Sequence, residues 1–372
     1  PSEELTDEEL LGKPLPDRKR LSASKRRKLE EKRKKKLKKI RRRRRIKIIL
    51  SVFMVLILAI LFLLYTKPGN AIILKLASKY VKNTMQTDDT VQFTPPKTIP
   101  EGWIYDENVV NVLLVGIERN GGAANTDSMI LVSQNIETGK ITMVSLLRDT
   151  YVDIYGLDVK RKLNYAYSHG EGIQTLIDTV ENTYHIFINA YASVDYNSFE
   201  DIVDMLGGVS IELTEREAEY LNSTNYISDK ANRNVKAGIN QLNGNQALGY
   251  CRIRKIPTLE GVNDDYGRTL RQRKVLTSIF EEYKNESLTS MVSITNEILK
   301  SVTSNLSSDN IYIMLKALLE NETKSIEQVM LPAEGMFKPV TLDVVGAVLS
   351  IEGYEQQNID YLHELLYGRL AE

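Results

Sequence analysis

The sequence is poor in the residues that build the commonest reactive centres. Among 372 residues there is one cysteine, Cys251, and there are three histidines, His169, His185 and His363. A single thiol excludes an intramolecular disulfide and any CxxC metal site. Three scattered histidines leave a zinc centre of His and Cys without its ligands, and Cys251 reads as a small core hydrophobe. No GxGxxG, Walker A or GxSxG stretch occurs. The usual dinucleotide loop, triphosphate loop and hydrolase elbow are therefore missing. An excess of one charge is missing too, with 49 basic residues against 49 acidic.

That neutral total averages two unlike parts. Residues 1–47 hold 21 Lys+Arg against 8 Asp+Glu, which leaves the remainder at a net charge of −13. Between them, residues 48–65 read IILSVFMVLILAILFLLY, 18 residues without a charge. That length just spans a hydrocarbon core. The stretch is longer than a signal-peptide core, its basic flank is too long, and no A-x-A site follows. It reads as an uncleaved single-pass transmembrane helix with the N-terminus in the cytoplasm. The basic tail then fixes topology and meets anionic headgroups, and no nucleic-acid partner is expected. The expected location is the cell membrane with the folded part outside. A disulfide-free exported domain fits a Gram-positive surface better than a disulfide-rich secreted module.

The expected organisation is a cytoplasmic tail over 1–47, the anchor over 48–65 and a Pro-containing stalk over 66–108. A catalytic core over 109–283 follows, then a helical part or small lobe over 284–372. Residues 111–115, 129–135 and 140–146 read as strands, the last two joined by a 137–139 hairpin. Ile173, Leu176, Ile177, Val180 and Tyr184 share one helix face. A strand over 190–196 precedes a helix carrying Phe199, Ile202, Val203 and Leu206, capped by Asn197 or Ser198 and stopped at Gly207-Gly208. Residues 209–213 read as a strand, 214–240 as a polar surface excursion, 245–252 and 269–283 as helices, and 255–267 as a charged loop. Amphipathic stretches recur near 311–319 and 359–370. The expected fold class is α/β: a layered α/β/α domain with a central mixed sheet, preceded by the transmembrane helix.

Arginines cluster at the ends of these elements. Arg148 follows a strand, Arg252 and Arg254 follow a helix, and Arg268 and Arg271 share a helix face beside Gln272. A guanidinium fork holds two phosphate oxygens at once, so five arginines converging on one cleft would bind a polyphosphate. Acids stand beside them: Glu118 after the first strand, Asp127 before the second, and Asp264 and Asp265 upstream of Arg268. Carboxylates next to phosphate-binding arginines suggest Mg²⁺. The plainer reading of Asp127 is a turn cap paired with Arg148. His169 reads as a loop residue.

The order of these stretches resembles the LytR-CpsA-Psr family of bacterial envelope proteins. The matching segments are NVLLVGIER, NTDSMILVS, VSLLRDTYVDI, KLNYAYSHGEG, FEDIVDMLGGVSI, LNGNQALGYCRIR and DDYGRTLRQRKVL, spanning about 111–276. The resemblance implies a phosphotransferase that moves a teichoic-acid-type or capsular glycopolymer from a polyprenyl-pyrophosphate carrier to a hydroxyl of peptidoglycan. The product would be a phosphodiester, Mg²⁺ the cofactor, and an apolar pocket the seat of the lipid. Apolar residues such as Ile202, Val203 and Leu206 are candidates to line that pocket, the plainer reading of each being ordinary core packing. It also implies that Arg148, Lys162, Arg252, Arg254, Arg268, Arg271 and Gln272 contact the pyrophosphate, with Asn164 in the same K-L-N stretch as Lys162. Asp127 and Glu118 would hold the metal, and Asp127 or its rival Asp265 would take the proton. Four positions depart from the family pattern. Asn125 stands for an Arg, Glu118 for an Asp and Ser128 for a Thr, and Arg273 follows RQ where a second Gln is common. Two other readings use the same residues or none of them: a hydrolase of the lipid pyrophosphate, and a non-catalytic envelope sensor.

Overall fold

The computed structural model describes residues 66–120, 123–321 and 326–371, together with Phe62. The basic tail and all of the 48–65 segment except Phe62 lie outside the described residues. Among the described residues no helix is long and apolar enough to cross a membrane. From Leu74 to Glu372 the chain forms one compact unit.

Its first half contains α1 (Lys67–Thr84), β1 (Gln86–Thr87), β2 (Val109–Asn120), β3 (Ala123–Asn135), β4 (Ile141–Leu146), β5 (Thr150–Ile154), β6 (Val159–Lys162), α2 (Tyr165–Ser168), α3 (Ile173–Tyr184), β7 (Ala190–Asp195), α4 (Tyr196–Met205) and β8 (Val209–Leu213). The second half contains α5 (Glu215–Ser223), β9 (Gly238–Leu242), α6 (Gly244–Arg252), α7 (Asp264–Asn285), α8 (Leu288–Ser301), β10 (Thr303–Ser304), α9 (Ser308–Glu320), β11 (Ile326–Leu331), β12 (Lys338–Leu342), β13 (Gly346–Ser350) and α10 (Glu355–Tyr367).

The fold is mixed α/β. Among the described residues the central sheet has seven strands in the order β1-β10-β7-β2-β3-β4-β11. The β2–β3 and β3–β4 pairs are antiparallel, while β2–β7 and β4–β11 are parallel. A second sheet runs β12-β13-β5-β6, and β8 pairs with β9. Alternation assigns the faces. Leu113, Val115, Leu131, Val144 and Leu146 pack against Leu176, Val180 and Tyr184 of α3 and Leu362 and Leu366 of α10, giving the main core. On the other side Val194 meets Ile202 and Leu206 of α4 and Ile294 of α8.

The structure departs from the sequence reading at several points. The segment expected as a stalk is helical over α1, and Gln86–Thr87 then joins the sheet beside Thr303–Ser304. Val91 and Ile104 belong to the main core. The polar excursion holds α5, closed by a capping box between Thr214 and Glu217, and β9. The cap of α4 is Asp195, whose side chain accepts from the Ser198 amide. Helix α7 starts at Asp264, inside the segment read as a loop. Residues 284–372 carry β10 and β11, both strands of the central sheet, so this region completes the domain and is not a lobe apart.

Candidate active site

The central sheet brings the charged residues to one edge. Strands β2 and β4 both run antiparallel to β3, so Glu118 and Arg148 leave the sheet on the same side. The Arg148-Asp149 backbone is pinned by its neighbours. Leu147 N donates to Leu331 O, Asn164 N to Arg148 O, and Leu349 N to Asp149 O. Helix α7 brings Asp265 in its first turn and Arg268 one turn later.

These side chains form a continuous chain of alternating charge. Lys162 Nζ donates to Asp149 Oδ1 at 2.7 Å. Asp149 Oδ2 and Asp265 Oδ1 each lie 3.7 Å from Arg148 Nε. Arg268 Nη2 lies 2.9 Å from Asp265 Oδ1 and 3.1 Å from its Oδ2. Asp265 and Arg268 are buried, whereas Arg148 and Lys162 are half-buried and open toward solvent. Burial pushes the Asp265 carboxyl above its ordinary value; the Arg268, Arg148 and Arg254 charges oppose this and Asp149 adds to it. The Arg254 side chain is half-buried and makes no hydrogen bond or close ion pair among the described residues, so its fork is open, while its backbone carbonyl accepts from the Asp264 amide.

A second pair flanks this chain. Arg252 Nη2 donates to Glu118 Oε1 at 3.2 Å. The Arg252 guanidinium also lies over the rings of Tyr196 at 5.6 Å and Tyr226 at 5.9 Å. The LNGNQ stretch explains how Arg252 is delivered. Asn243 and Gln246 form the capping box that starts α6. A Cβ on Gly244 would stand 2.2 Å from Glu200 O, so only glycine lets α6 approach α4 this closely. That motif builds the scaffold, and Arg252 and Arg254 come out at its far end. The N-terminus of α7 has no side-chain cap from Asn263, and Asp264 sits at φ 54, in the left-handed region.

Not every expected site residue joins this edge. Arg271 was expected at the pyrophosphate, and the structure corrects this. It is fully buried, with Nε donating to Glu217 Oε1 at 2.9 Å, Nη1 to Ile253 O at 3.1 Å and Nη2 to Ile256 O at 2.6 Å. With every guanidinium nitrogen engaged by protein, Arg271 fixes the 253–256 segment and presents no face to a ligand. Gln272 is half-buried. Ile202, Val203 and Leu206, read as lining a lipid pocket, are buried in helix packing.

The apolar surface lies on the sheet itself. Register places Ala192, Leu114, Ile130, Ser145 and Met330 in one row across β7, β2, β3, β4 and β11. The next row holds Ala190, Val112, Val132 and Met143. Leu114, Val132, Met143, Ala192 and Val194 are only half-buried although they belong to interior strands. Apolar side chains in mid-sheet are normally covered completely. Here the helices leave a partly open apolar floor.

For a metal, the donors available are oxygens. Asp127 is the bulged residue of β3: Gly116 pairs with Ser128 and Ile117 with Thr126, which leaves Asp127 between them. Glu118 follows on the facing strand. Among the described residues no cluster of three or more His, Cys, Asp or Glu could hold an ion alone. Mg²⁺ is commonly held by one or two carboxylates plus substrate phosphates, so this donor set fits it.

The LytR_cpsA_psr family model matches residues 71–361, and the chain belongs to the LytR-CpsA-Psr family. A curated relative, the polyisoprenyl-teichoic acid–peptidoglycan teichoic acid transferase TagU of Bacillus licheniformis, is 34% identical over 226 residues, covering 60% of this chain and 69% of the relative. Protein gbs0355 from Streptococcus agalactiae has a similar crystal structure, with a TM-score of 0.55 and 26% identity, covering 71% of this chain and 90% of that one. The structure of TagT bound to LIIa-WTA has a TM-score of 0.55 at 23% identity, covers 77% of this chain and 100% of that one, and bears on the fold alone.

Proposed function

We propose that this protein is a phosphotransferase that moves a glycopolymer, of teichoic-acid or capsular type, from a polyprenyl-pyrophosphate carrier to a hydroxyl of peptidoglycan. The observation that carries this reading is the adjacency of two surfaces. The Lys162–Asp149–Arg148–Asp265–Arg268 chain gathers at the end of β4, the strand whose Met143 and Ser145 belong to the partly open apolar floor. A ligand that is a diphosphate at one end and a long hydrocarbon at the other matches both. The activity in the name of the Bacillus licheniformis relative supports the same assignment.

In this reading Arg148, Arg254 and Arg268 hold the diphosphate and neutralise charge as it develops. Arg252 and Lys162 add to the field from the rim. Asp265 accepts the proton of the acceptor hydroxyl, a task suited to a carboxyl whose burial raises its pKa. Asp127 and Glu118 are the residues that would hold Mg²⁺, which when bound supplies further positive charge to the phosphate oxygens. The domain is a layered α/β/α unit, anchored by residues 48–65 in the cell membrane with the active face outside. That arrangement keeps it beside a carrier whose own tail lies in the bilayer.

The test uses the full-length protein in detergent with a lipid-linked glycan and peptidoglycan. Transfer should leave glycan bonded to the wall, and Arg148→Ala or Arg254→Ala should abolish it with the melting temperature unchanged. Release of free glycan phosphate instead would identify a hydrolase. Full transfer by both variants would sink the assignment.

A further inference from the structure

Arg273 stands apart from the other arginines of α7. The residue is 9% exposed, and its Nη1 donates to Ser145 Oγ at 3.1 Å. Among the described residues it has no carboxylate partner. Arg268 has Asp265 and Arg271 has Glu217. A guanidinium nine-tenths buried against a neutral hydroxyl is costly unless something else takes its donors. Burial accordingly pulls its pKa below the ordinary arginine value.

Its place in the fold says what that partner is. Ser145 belongs to the apolar row with Ile130, Leu114 and Ala192, so Arg273 lies on the half-covered floor. Ser145 precedes Arg148 by three residues, about 10 Å along a strand. Arg273 follows Arg268 by five, about 7.5 Å along a helix. The strand displacement leads from the charged edge along the floor, and Arg273 meets it at Ser145. A carrier with its diphosphate at the edge and its hydrocarbon on the floor passes this point where its lipid-side phosphate meets the first prenyl unit.

We propose that Arg273, oriented by Ser145, is an anion subsite for the lipid-side phosphate of the carrier. This rests on the carrier reading above and adds a residue and a role to it. In the transfer step the acceptor oxygen forms a bond to the glycan-side phosphorus. The bond from that phosphorus to the bridging oxygen breaks, and its electron pair stays on the bridging oxygen. The hydroxyl proton goes to the carboxylate base, and the prenyl monophosphate departs with the added charge. A fixed cation at Arg273 stabilises that leaving group and retains it after transfer.

The experiment measures binding of farnesyl monophosphate, farnesyl diphosphate and, as a neutral control, farnesol to the full-length protein. The variants are Arg273→Met, Ser145→Ala and Arg148→Ala. Arg273→Met should weaken farnesyl monophosphate by about tenfold or more while farnesol is unaffected. Its unliganded melting temperature should hold or rise, because a buried unpaired charge has been replaced by an apolar chain of similar reach. Ser145→Ala, which removes one oxygen, should weaken the monophosphate in the same direction. Arg148→Ala should weaken the diphosphate more than the monophosphate. If Arg273→Met and Ser145→Ala bind the monophosphate like the wild type while Arg148→Ala fails on the diphosphate, the subsite is wrong and the carrier reading stands. If the wild type binds neither phosphate better than farnesol, both are overturned.

Discussion

Glu217 and Arg271 form an ion pair at 2.8 Å in which neither side chain is more than 1% exposed. The carboxylate works at both ends. Its Oε2 accepts from the Thr214 amide at 2.9 Å and closes the α5 capping box, while Oε1 takes Arg271. Arg271 in turn holds the carbonyls of Ile253 and Ile256, on either side of Arg254. The active-site loop is thus tied to a helix far from it in sequence. Glu217→Ala leaves a buried guanidinium uncompensated and should cost about 3–5 kcal/mol in chemical denaturation. Arg271→Ala should likewise lose stability and expression, unlike Arg254→Ala, which should lose activity alone. Equal stability of the two arginine variants would place Arg271 back at the ligand.

Gly267 lies in the first turn of α7, between the loop and this pair. A Cβ there would stand 2.7 Å from Val262 O and 3.1 Å from Arg271 Nη1. Alanine ordinarily favours a helix over glycine, but here the added methyl must push aside a backbone carbonyl that has no rotamer to escape into. Gly267→Ala should destabilise by about 1–3 kcal/mol and lower transfer further by displacing Arg254 and Asp265. Thermal melts alongside single-turnover transfer separate the two effects.

The contrast between Arg271 and Arg148 shows where sequence reading stops. Strands β2 to β4 were legible because alternation and the 137–139 turn are local signals. The site edge was legible because arginine at the end of an element has few structural reasons to be there. Arg271 and Arg268 are three residues apart on one helix and look alike in sequence. What separates them is Glu217, 54 residues before Arg271 and inside a segment read as irregular. The short strands β1 and β10, the last two at one side of the central sheet, escaped for a related reason. Two-residue strands carry no periodicity, and their pairing joins residues 86–87 to 303–304. The apolar floor was missed as well, since half-burial in mid-sheet depends on what the covering helices fail to reach.

The Asp265 carboxyl gives the pH profile a direction. Its pKa is raised from the ordinary 3.8, first by burial and further by the Asp149 charge, against Arg268, Arg148 and Arg254. A base must be ionised to act, so the rate should fall as pH drops through this raised value, above where a solvent-exposed aspartate would titrate. For stability the same shift has the opposite consequence. The folded state favours the protonated carboxyl, so this contribution is largest in acid and is lost as pH rises through the folded pKa. Asp265→Asn should lower transfer by about 10²–10⁴-fold and remove the acidic limb of the profile. Retention of that limb in the variant would move the base to Asp127.

Metal removal should separate the fold from the chemistry. With no cluster of three or more protein ligands among the described residues, a Mg²⁺ ion at this site would need substrate phosphate to complete its shell. The expected outcome is a fold that does not depend on the metal. EDTA should leave the melting temperature of the unliganded protein unchanged, in contrast to domains whose structural metal is part of their folding free energy. The same treatment should stop transfer, and added Mg²⁺ should restore it. Binding of Mg²⁺ should tighten when a prenyl diphosphate is present, and by linkage the diphosphate should tighten by the same factor when Mg²⁺ is present. Glu118→Gln tests where the ion sits. It removes the negative charge beside Arg252, which strengthens the anion site, while taking away a carboxylate ligand, which weakens the coupling. Diphosphate affinity without metal should hold or improve, and its enhancement by Mg²⁺ should shrink. An enhancement equal to that of the wild type would remove Glu118 from the metal shell and leave it as the partner that orients Arg252.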